Sequence, residues 1–186
     1  MAKVQFGLKN VHYAVVTETT VGAVTTSTYG APKAWPGAVN LSLDPAGEDS
    51  DFYADDGVYY TLGNNSGYEG DFESALVPDD AYTDIYGSTS NTDEVIVESA
   101  SDTKKYIALM FEIQGDVKAR RHVMYRCSLT RPAVASGTKE DTTEPQTQTV
   151  TIKATPRPDD GLIKAFTKDD VTETVYNNWF TAVYTP

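Results

Sequence analysis

Two neighbouring stretches carry apolar residues at every second position, and that period of two constrains the fold more than any other feature. In Tyr106 to Gln114, Ile107, Leu109, Phe111 and Ile113 share one face, with Tyr106, Ala108, Met110, Glu112 and Gln114 on the other. In Arg121 to Leu129, Val123, Tyr125, Cys127 and Leu129 form the apolar set, opposite His122, Met124, Arg126 and Ser128. Successive side chains of a strand point to opposite faces, whereas a helix would space its apolar positions three and four apart. The short polar link around Gly115–Asp116 joins the two as a hairpin. Gln146 to Thr155 repeats the pattern, with Val150, Ile152 and Ala154 against Thr147, Thr149, Thr151, Lys153 and Thr155. Val39, Leu41 and Leu43 make a shorter strand, ended by Asp44–Pro45. A half-buried antiparallel sheet is the simplest reading.

Composition agrees: twelve Tyr, abundant Thr and Val, and few Leu favour strands. Further strand candidates are Tyr53 to Leu62, Asp71 to Val77, Glu94 to Glu98, Leu162 to Thr167 and Trp179 to Thr185. One segment reads differently. Pro78 followed by Asp79 and Asp80 suits a helix start, Ala81, Tyr82, Ile85 and Tyr86 form a helical stripe, and Gly87 stops it. One short helix, 79–86, is therefore predicted on an otherwise all-β domain. Residues 1–37 read as an N-terminal arm or loose hairpin outside the core, and 38–186 as the β domain. Within the latter, an acidic hairpin loop lies near 44–57 and a polar, exposed loop near 131–145.

The 186 residues suffice for one domain with a proper core. No apolar run approaches the ~20 residues of a spanning helix, and Met1 to Asn10 lacks the layout of a secretory signal, so a soluble, cytoplasmically made protein is expected. One cysteine excludes an internal disulfide. The net charge of −12 argues against general nucleic-acid binding, which relies on clustered Lys and Arg. That charge is unevenly placed: residues 34–103 hold 16 Asp and Glu and no Lys or Arg, whereas the remainder has 15 basic and 11 acidic residues. Such a division is either a solvated surface or an acidic half that meets the basic half of a neighbouring subunit.

The inventory for chemistry is thin. His12 and His122 fall on separate strands, with no Cys or second His at ligand spacing, and surface or subunit contact is the simpler role for both. Cys127 lies on an apolar face, as an inert buried thiol would. Neither a Gly-x-Ser-x-Gly turn nor a Gly-rich phosphate loop is present. The acidic run from Glu48 to Gly57 fails the EF-hand pattern in both registers, because Tyr53 occupies a ligand position each time. Paired carboxylates for glycoside hydrolysis are uninformative in so acidic a chain. For the acidic run a solvated hairpin loop is the simpler reading and a loose, non-EF calcium site the alternative; no enzyme or cofactor is expected, and no metal ligand is assigned.

Four stretches together resemble the major tail (tail tube) proteins of long non-contractile-tailed bacteriophages. They are Phe6-Gly7-Leu8-Lys9-Asn10-Val11-His12-Tyr13-Ala14, then Leu41 to Glu48 with Phe52-Tyr53-Ala54-Asp55-Asp56, and Gly67-Tyr68-Glu69-Gly70-Asp71-Phe72-Glu73 with the short helix. The last comprises Arg120-Arg121-His122-Val123-Met124-Tyr125, Arg131-Pro132, Thr138 to Asp141 and Glu144 to Thr147. The resemblance implies an all-β, tail-tube-type β-sandwich or barrel with one short α-helix and extended arms. It further implies hexameric rings that stack into a tube, through which double-stranded DNA passes without specific binding. Tail tip, tape measure and tail terminator proteins are the implied partners. The implied setting is the virion, with assembly in the host cytoplasm and no membrane.

Under that resemblance, part of the acidic excess faces the channel, where carboxylates repel phosphates over roughly the ~8 Å Debye length. Arg120, Arg121 and Arg126 become candidate intersubunit partners of Asp49, Asp51, Asp55 and Asp56 in the acidic hairpin. The alternatives are intrachain pairing or solvent exposure. Two other classes stay open: a carbohydrate-binding or capsid-decorating β-sandwich, and a hydrolase with unmarked carboxylates.

Overall fold

A computed structural model describes residues 3–138 and 145–186, and these form an all-β fold with short helical pieces. The first half of the chain supplies β1 (Gln5–Val21), β2 (Val24–Tyr29), β3 (Lys33–Ala34), β4 (Ala38–Ala46), β5 (Ser50–Ala54), β6 (Gly57–Leu62) and β7 (Gly67–Ser74). After α1 (Asp79–Asp84) come β8 (Thr89–Ser90), β9 (Ile96–Val97), β10 (Ile107–Gly115), β11 (Arg120–Leu129), β12 (Gln148–Ala154), β13 (Lys164–Phe166) and α2 (Glu173–Asn177). Antiparallel pairing orders the main sheet β2-β1-β10-β11-β12-β7-β4, with β13 beside β11 and β3 beside β1. The sheet curls until β4, at one end, lies against β1 across a shared core.

The hairpin of β10 and β11 stands where the alternation predicts it, but it is not half-buried. Every residue from Ile107 to Glu112 is buried. Ile107, Leu109 and Phe111 enter a first core cluster with Val11, Tyr13, Trp35, Phe72 and Ile152. Ala108 and Met110 enter a second, with Ala14, Val123, Tyr125 and Trp179. The first cluster is closed by α1 through Ala81 and Ile85; the second is roofed by the C-terminal segment through Val175, Phe180 and Val183. Each large side chain so buried contributes roughly 1.5–3 kcal/mol. Both faces of the central strands are therefore used.

A β-bulge changes which face of β11 does what. Ile107 pairs with Cys127 but Leu109 with Met124, so two steps on β10 answer three on β11. The extra residue shifts the phase of alternation. Val123 and Tyr125 point into the second cluster, whereas Met124, Cys127 and Leu129 point into the first. The single apolar set expected for β11 is thus divided between two cores. Cys127 is fully buried, and that burial pushes its thiol up to about 12, so it is the inert residue expected.

The 1–37 segment, described from residue 3, is not wholly an arm or loose hairpin outside the core. Val11, Tyr13 and Trp35 belong to the first cluster and Ala14 to the second, because β1 pairs along β10 before it continues into β2. Two left-handed backbone positions, Gly7 and Asn10, sit at the register shifts that keep Val11 and Tyr13 aimed inward. Beyond Val16 the β1–β2 hairpin projects, with its tip at Val21 and Val24 exposed. Its base is fixed by Glu18 to Arg126 at 2.5 Å and by the Ser27 N–H donating to Asp159 at 3.2 Å.

Other boundaries move for local reasons. The short helix ends at Asp84, and its stripe buries Ala81, Ile85 and Tyr86 as expected. β4 runs through Asp44–Pro45 to Ala46, since an edge strand loses no ladder bond to a proline. A bulge between Ala38 and Asn40 leaves Val39 exposed, unlike the half-buried Leu41 and Leu43. Tyr53 to Leu62 is two strands, not one: Asp55 and Asp56, both at positive φ, make the two-residue turn between β5 and β6. The Asp71–Val77 candidate is β7, shifted to Gly67–Ser74, while Glu94–Glu98 and Leu162–Thr167 shrink to β9 and β13. Trp179 to Thr185 is not a strand but turn and irregular chain after α2, a second short helix. Of the polar loop near 131–145, residues 139–144 lie outside the described residues; 131–138 have no regular structure.

Candidate assembly surfaces

Residues 47–66 leave the sheet between two paired strands. Ala46 pairs with Gly67, the Ser66 N–H donates to Ala46 O at 2.9 Å, and β5 and β6 pair only with each other. The exit is tight: a Cβ on Gly47 (φ 128) would lie 2.2 Å from Asn64 O. What leaves is a bare two-stranded hairpin, a structure only marginally stable by itself.

Its side chains are sorted by face. Phe52 pairs with Tyr60 and Ser50 with Leu62, so Phe52, Tyr60 and Leu62 share a side. A register shift between Phe52 and Tyr53 brings Tyr59 to the same side, where its ring meets Phe52 edge-on at 6.5 Å and 81°. Exposure is large throughout: Phe52 58%, Tyr59 72%, Tyr60 60% and Leu62 55%. Asp51, Tyr53, Val58 and Thr61 occupy the opposite side, and Thr61 donates to Asp51 at 2.6 Å. Contiguous exposed aromatics rimmed by carboxylates mark an interaction surface more often than plain solvent-facing chain. Sequence reading singled out the carboxylates of this hairpin and passed over its rings. The signal was available, as aromatic residues in a β-period flanked by Asp.

Within one chain, the arginines and aspartates expected to pair between subunits lie apart. Arg120 lies 3.7 Å from Asp169; Arg121 Nε donates to Glu112 at 2.8 Å, and its Nη1 to Tyr176 O. The Arg121 guanidinium also stacks 3.7 Å over the Tyr176 ring, fastening α2 to the sheet. Arg126 holds Glu18 at 2.5 Å and Thr155 at 2.9 Å, and lies 3.7 Å over the Tyr106 ring. All three are thus engaged within the chain. Glu112 is a buried carboxylate, and stripping a buried charge of its partner costs about 3–5 kcal/mol. Among the described residues no cation pairs with Asp49, Asp51, Asp55 or Asp56.

A second surface is the outer face of the β12–β7–β4 end of the sheet. The period of two that buries Val150, Ile152 and Phe72 sends Lys153, Thr151, Glu69, Asp71, Glu73, Ser42 and Asp44 outward. Thr151 donates to Asp71 at 2.8 Å, and Lys153 lies 3.7 Å from Glu69. This face is a lattice of hydroxyls and carboxylates, with four acids to one lysine.

A third feature is an open cleft of about 500 Å3 inside the curl of the sheet. Leu41 and Leu43 of β4 form one wall, and Phe111, Ile113 and Met124 of β10 and β11 the other. Asn40, Tyr68, His122 and Lys164 supply its polar groups, and among the described residues no carboxylate lines it. The Lys164 ammonium sits 4.1 Å from the Tyr68 ring centroid and donates to the Tyr68 hydroxyl.

The histidines do not meet either. His12 stacks on Phe180 at 4.8 Å, and its Nδ1 lies 2.9 Å from Asn10 O. His122 is layered between Phe111 at 5.0 Å and Phe166 at 5.6 Å, with Nε2 buried and without a hydrogen-bond partner. Burial first, then the positive charges of Lys164 and Arg120, lowers its pKa to about 4. In the unfolded chain the imidazole accepts a proton near pH 6.5; in the fold it refuses one until about pH 4. Stability from this residue is therefore complete above pH 6.5 and is lost as pH falls towards 4. Between pH 7 and 4.5 the loss amounts to roughly 2–3 kcal/mol. His122→Phe, which keeps the ring stack, is expected to flatten that part of the acid limb in urea titrations at the two pH values. Equal losses in both proteins would refute the assignment.

Among the described residues no group of three or more His, Cys, Asp or Glu is arranged to hold a metal ion. No protein-family model matches this chain, and a search of curated proteins finds no match.

Proposed function

We propose that this chain is a structural subunit whose work is contact with copies of itself, forming hexameric rings that stack into a phage tail tube. The observation that carries the reading is the β5–β6 hairpin. The free-standing pair of strands holds six large apolar side chains in water, four of them on one face, and burying them requires another surface. The contact would be heterologous, hairpin on one copy and a different surface on the next. Repeated contacts of that kind close into rings or extend into filaments. The open edges of β2 and β4, at the two ends of the sheet path, offer unpaired backbone for further strand pairing between subunits.

The outer face of β12, β7 and β4 is the proposed channel lining. Asp44, Glu69, Asp71 and Glu73 there would repel DNA phosphates, and its hydroxyls present no apolar surface on which bases could stack. DNA in transit would then slide without being held.

Negative-stain microscopy of the purified protein tests the reading. Rings or tubes of regular width are the expected result, and dispersed particles at every protein concentration would overturn it. One further reading has an observation in its favour, since exposed rings also serve carbohydrate-binding β-sandwiches. Against it, Phe52 and Tyr59 meet edge-to-face at 81° and present no flat platform to a sugar. A monomer that is retained on a glycan column would move the assignment there.

A further inference from the structure

We infer that the aromatic face of the β5–β6 hairpin inserts into the sheet cleft between β4 and β10–β11 of a second copy of this chain. The inference rests on the self-assembly reading above and adds the receiving site to it.

Donor and receiver are complementary in two independent respects. The hairpin presents Phe52, Tyr59 and Tyr60 on one side and needs an apolar cavity wide enough for aromatic rings. The cleft offers about 500 Å3 walled by Leu41, Leu43, Phe111 and Met124, within the range of roughly 300–1,000 Å3 in which proteins enclose sizeable apolar groups. In charge, the segment from Glu48 to Leu62 carries Glu48, Asp49, Asp51, Asp55 and Asp56 and no cation. The cleft carries the exposed ammonium of Lys164 and no carboxylate. Insertion would place the rings among aliphatic side chains and bring the flanking aspartates towards Lys164. A charge relation of that kind sets orientation and encounter rate more than affinity.

The hairpin does not satisfy this site in its own chain, where its rings remain exposed. A strand of six residues reaches about 20 Å, enough to carry the rings clear of the parent sheet to a neighbour. Because donor and receiver are different surfaces, each copy can give its hairpin to one neighbour and accept a hairpin from another.

Cysteine pairing between separately made chains tests the contact. Tyr60→Cys marks the hairpin, Val39→Cys the cleft lip, and Val134→Cys a more exposed position on the 131–138 loop. The native Cys127 is fully buried and stays out of the exchange. Mixing the Tyr60→Cys and Val39→Cys proteins under mild oxidation is expected to give the mixed disulfide dimer at least ten times faster than the Val134→Cys control. Lys164→Glu in the Val39→Cys chain is expected to slow that reaction at low salt. Particles that assemble by light scattering while Tyr60→Cys links both positions equally would overturn the docking and leave self-assembly standing. Absence of any assembly would overturn the self-assembly reading and this inference with it. A small apolar molecule retained in the cleft by native mass spectrometry would overturn the docking in favour of a ligand.

Discussion

A chain carrying Phe52→Ser, Tyr59→Ser and Tyr60→Ser together is expected to purify as a folded monomer that forms neither rings nor tubes. The three rings lie at 58%, 72% and 60% exposure on a hairpin whose strands pair only with each other. Their removal therefore takes nothing from the core, and surface changes of this kind usually move stability by no more than about 0.5 kcal/mol. Buried across an interface, aromatic anchors contribute about 2 kcal/mol or more each. Losing even 4 kcal/mol of contact weakens each association step nearly 10³-fold. Analytical ultracentrifugation reads the assembly, and thermal melting by circular dichroism checks that the subunit is intact. Tubes forming at the wild-type concentration would remove the hairpin from the assembly mechanism. The substitution also separates two roles: charge-neutral variants of Asp49, Asp51, Asp55 and Asp56 should slow assembly and reduce its salt dependence, with a smaller effect on the final state.

Gly70→Ala is expected to be strongly destabilising although it adds a single methyl. Gly70 pairs with Leu43, and a Cβ there would lie 2.0 Å from Ser42 O and 2.8 Å from the Ser42 carbonyl carbon. Both are backbone atoms of β4, so no rotamer change can make room. β4 must separate from β7, opening the first core cluster at Leu41 and Leu43. A loss of about 4 kcal/mol or more follows, the range reserved for such core disruptions. For a chain of this size that is a drop of roughly 8–16 °C in the midpoint of unfolding. A variant that melts within a few degrees of the wild type would show that β4 can shift along β7 without strain.

Gly70 also shows how far the residues alone could be followed. It sits in Gly67-Tyr68-Glu69-Gly70-Asp71-Phe72-Glu73, one of the stretches that carry the family resemblance, yet nothing in the sequence says why glycine stands there. The reason is the backbone of β4, some thirty residues earlier in the chain. Arg121 is similar. The residues made it a candidate ion-pair partner for the acidic hairpin of a neighbouring subunit; within its own chain it is held by Glu112, across the hairpin, and by Tyr176, on a helix that alternation did not reveal. Long-range partners decide whether a charged side chain is free for contact, and the spacing of charges along the chain does not record them.

The hairpin of β10 and β11 separates the two kinds of information most clearly. Local chemistry determined that it would form: a period of two, β-favouring side chains and a short polar link suffice to place two antiparallel strands. The same reasoning located α1 from its proline, its acidic first turn and its apolar stripe. Tertiary structure alone decided that both faces of β10 are buried, because the second face is covered by a C-terminal segment more than fifty residues away. It also decided the bulge that divides β11 between two cores, since register belongs to a pair of strands and not to either one. Exposure of the β5–β6 rings belongs to the same category. A strand that finds a sheet and a strand that finds only its hairpin partner can share one alternating pattern, and only the arrangement of the other strands tells them apart.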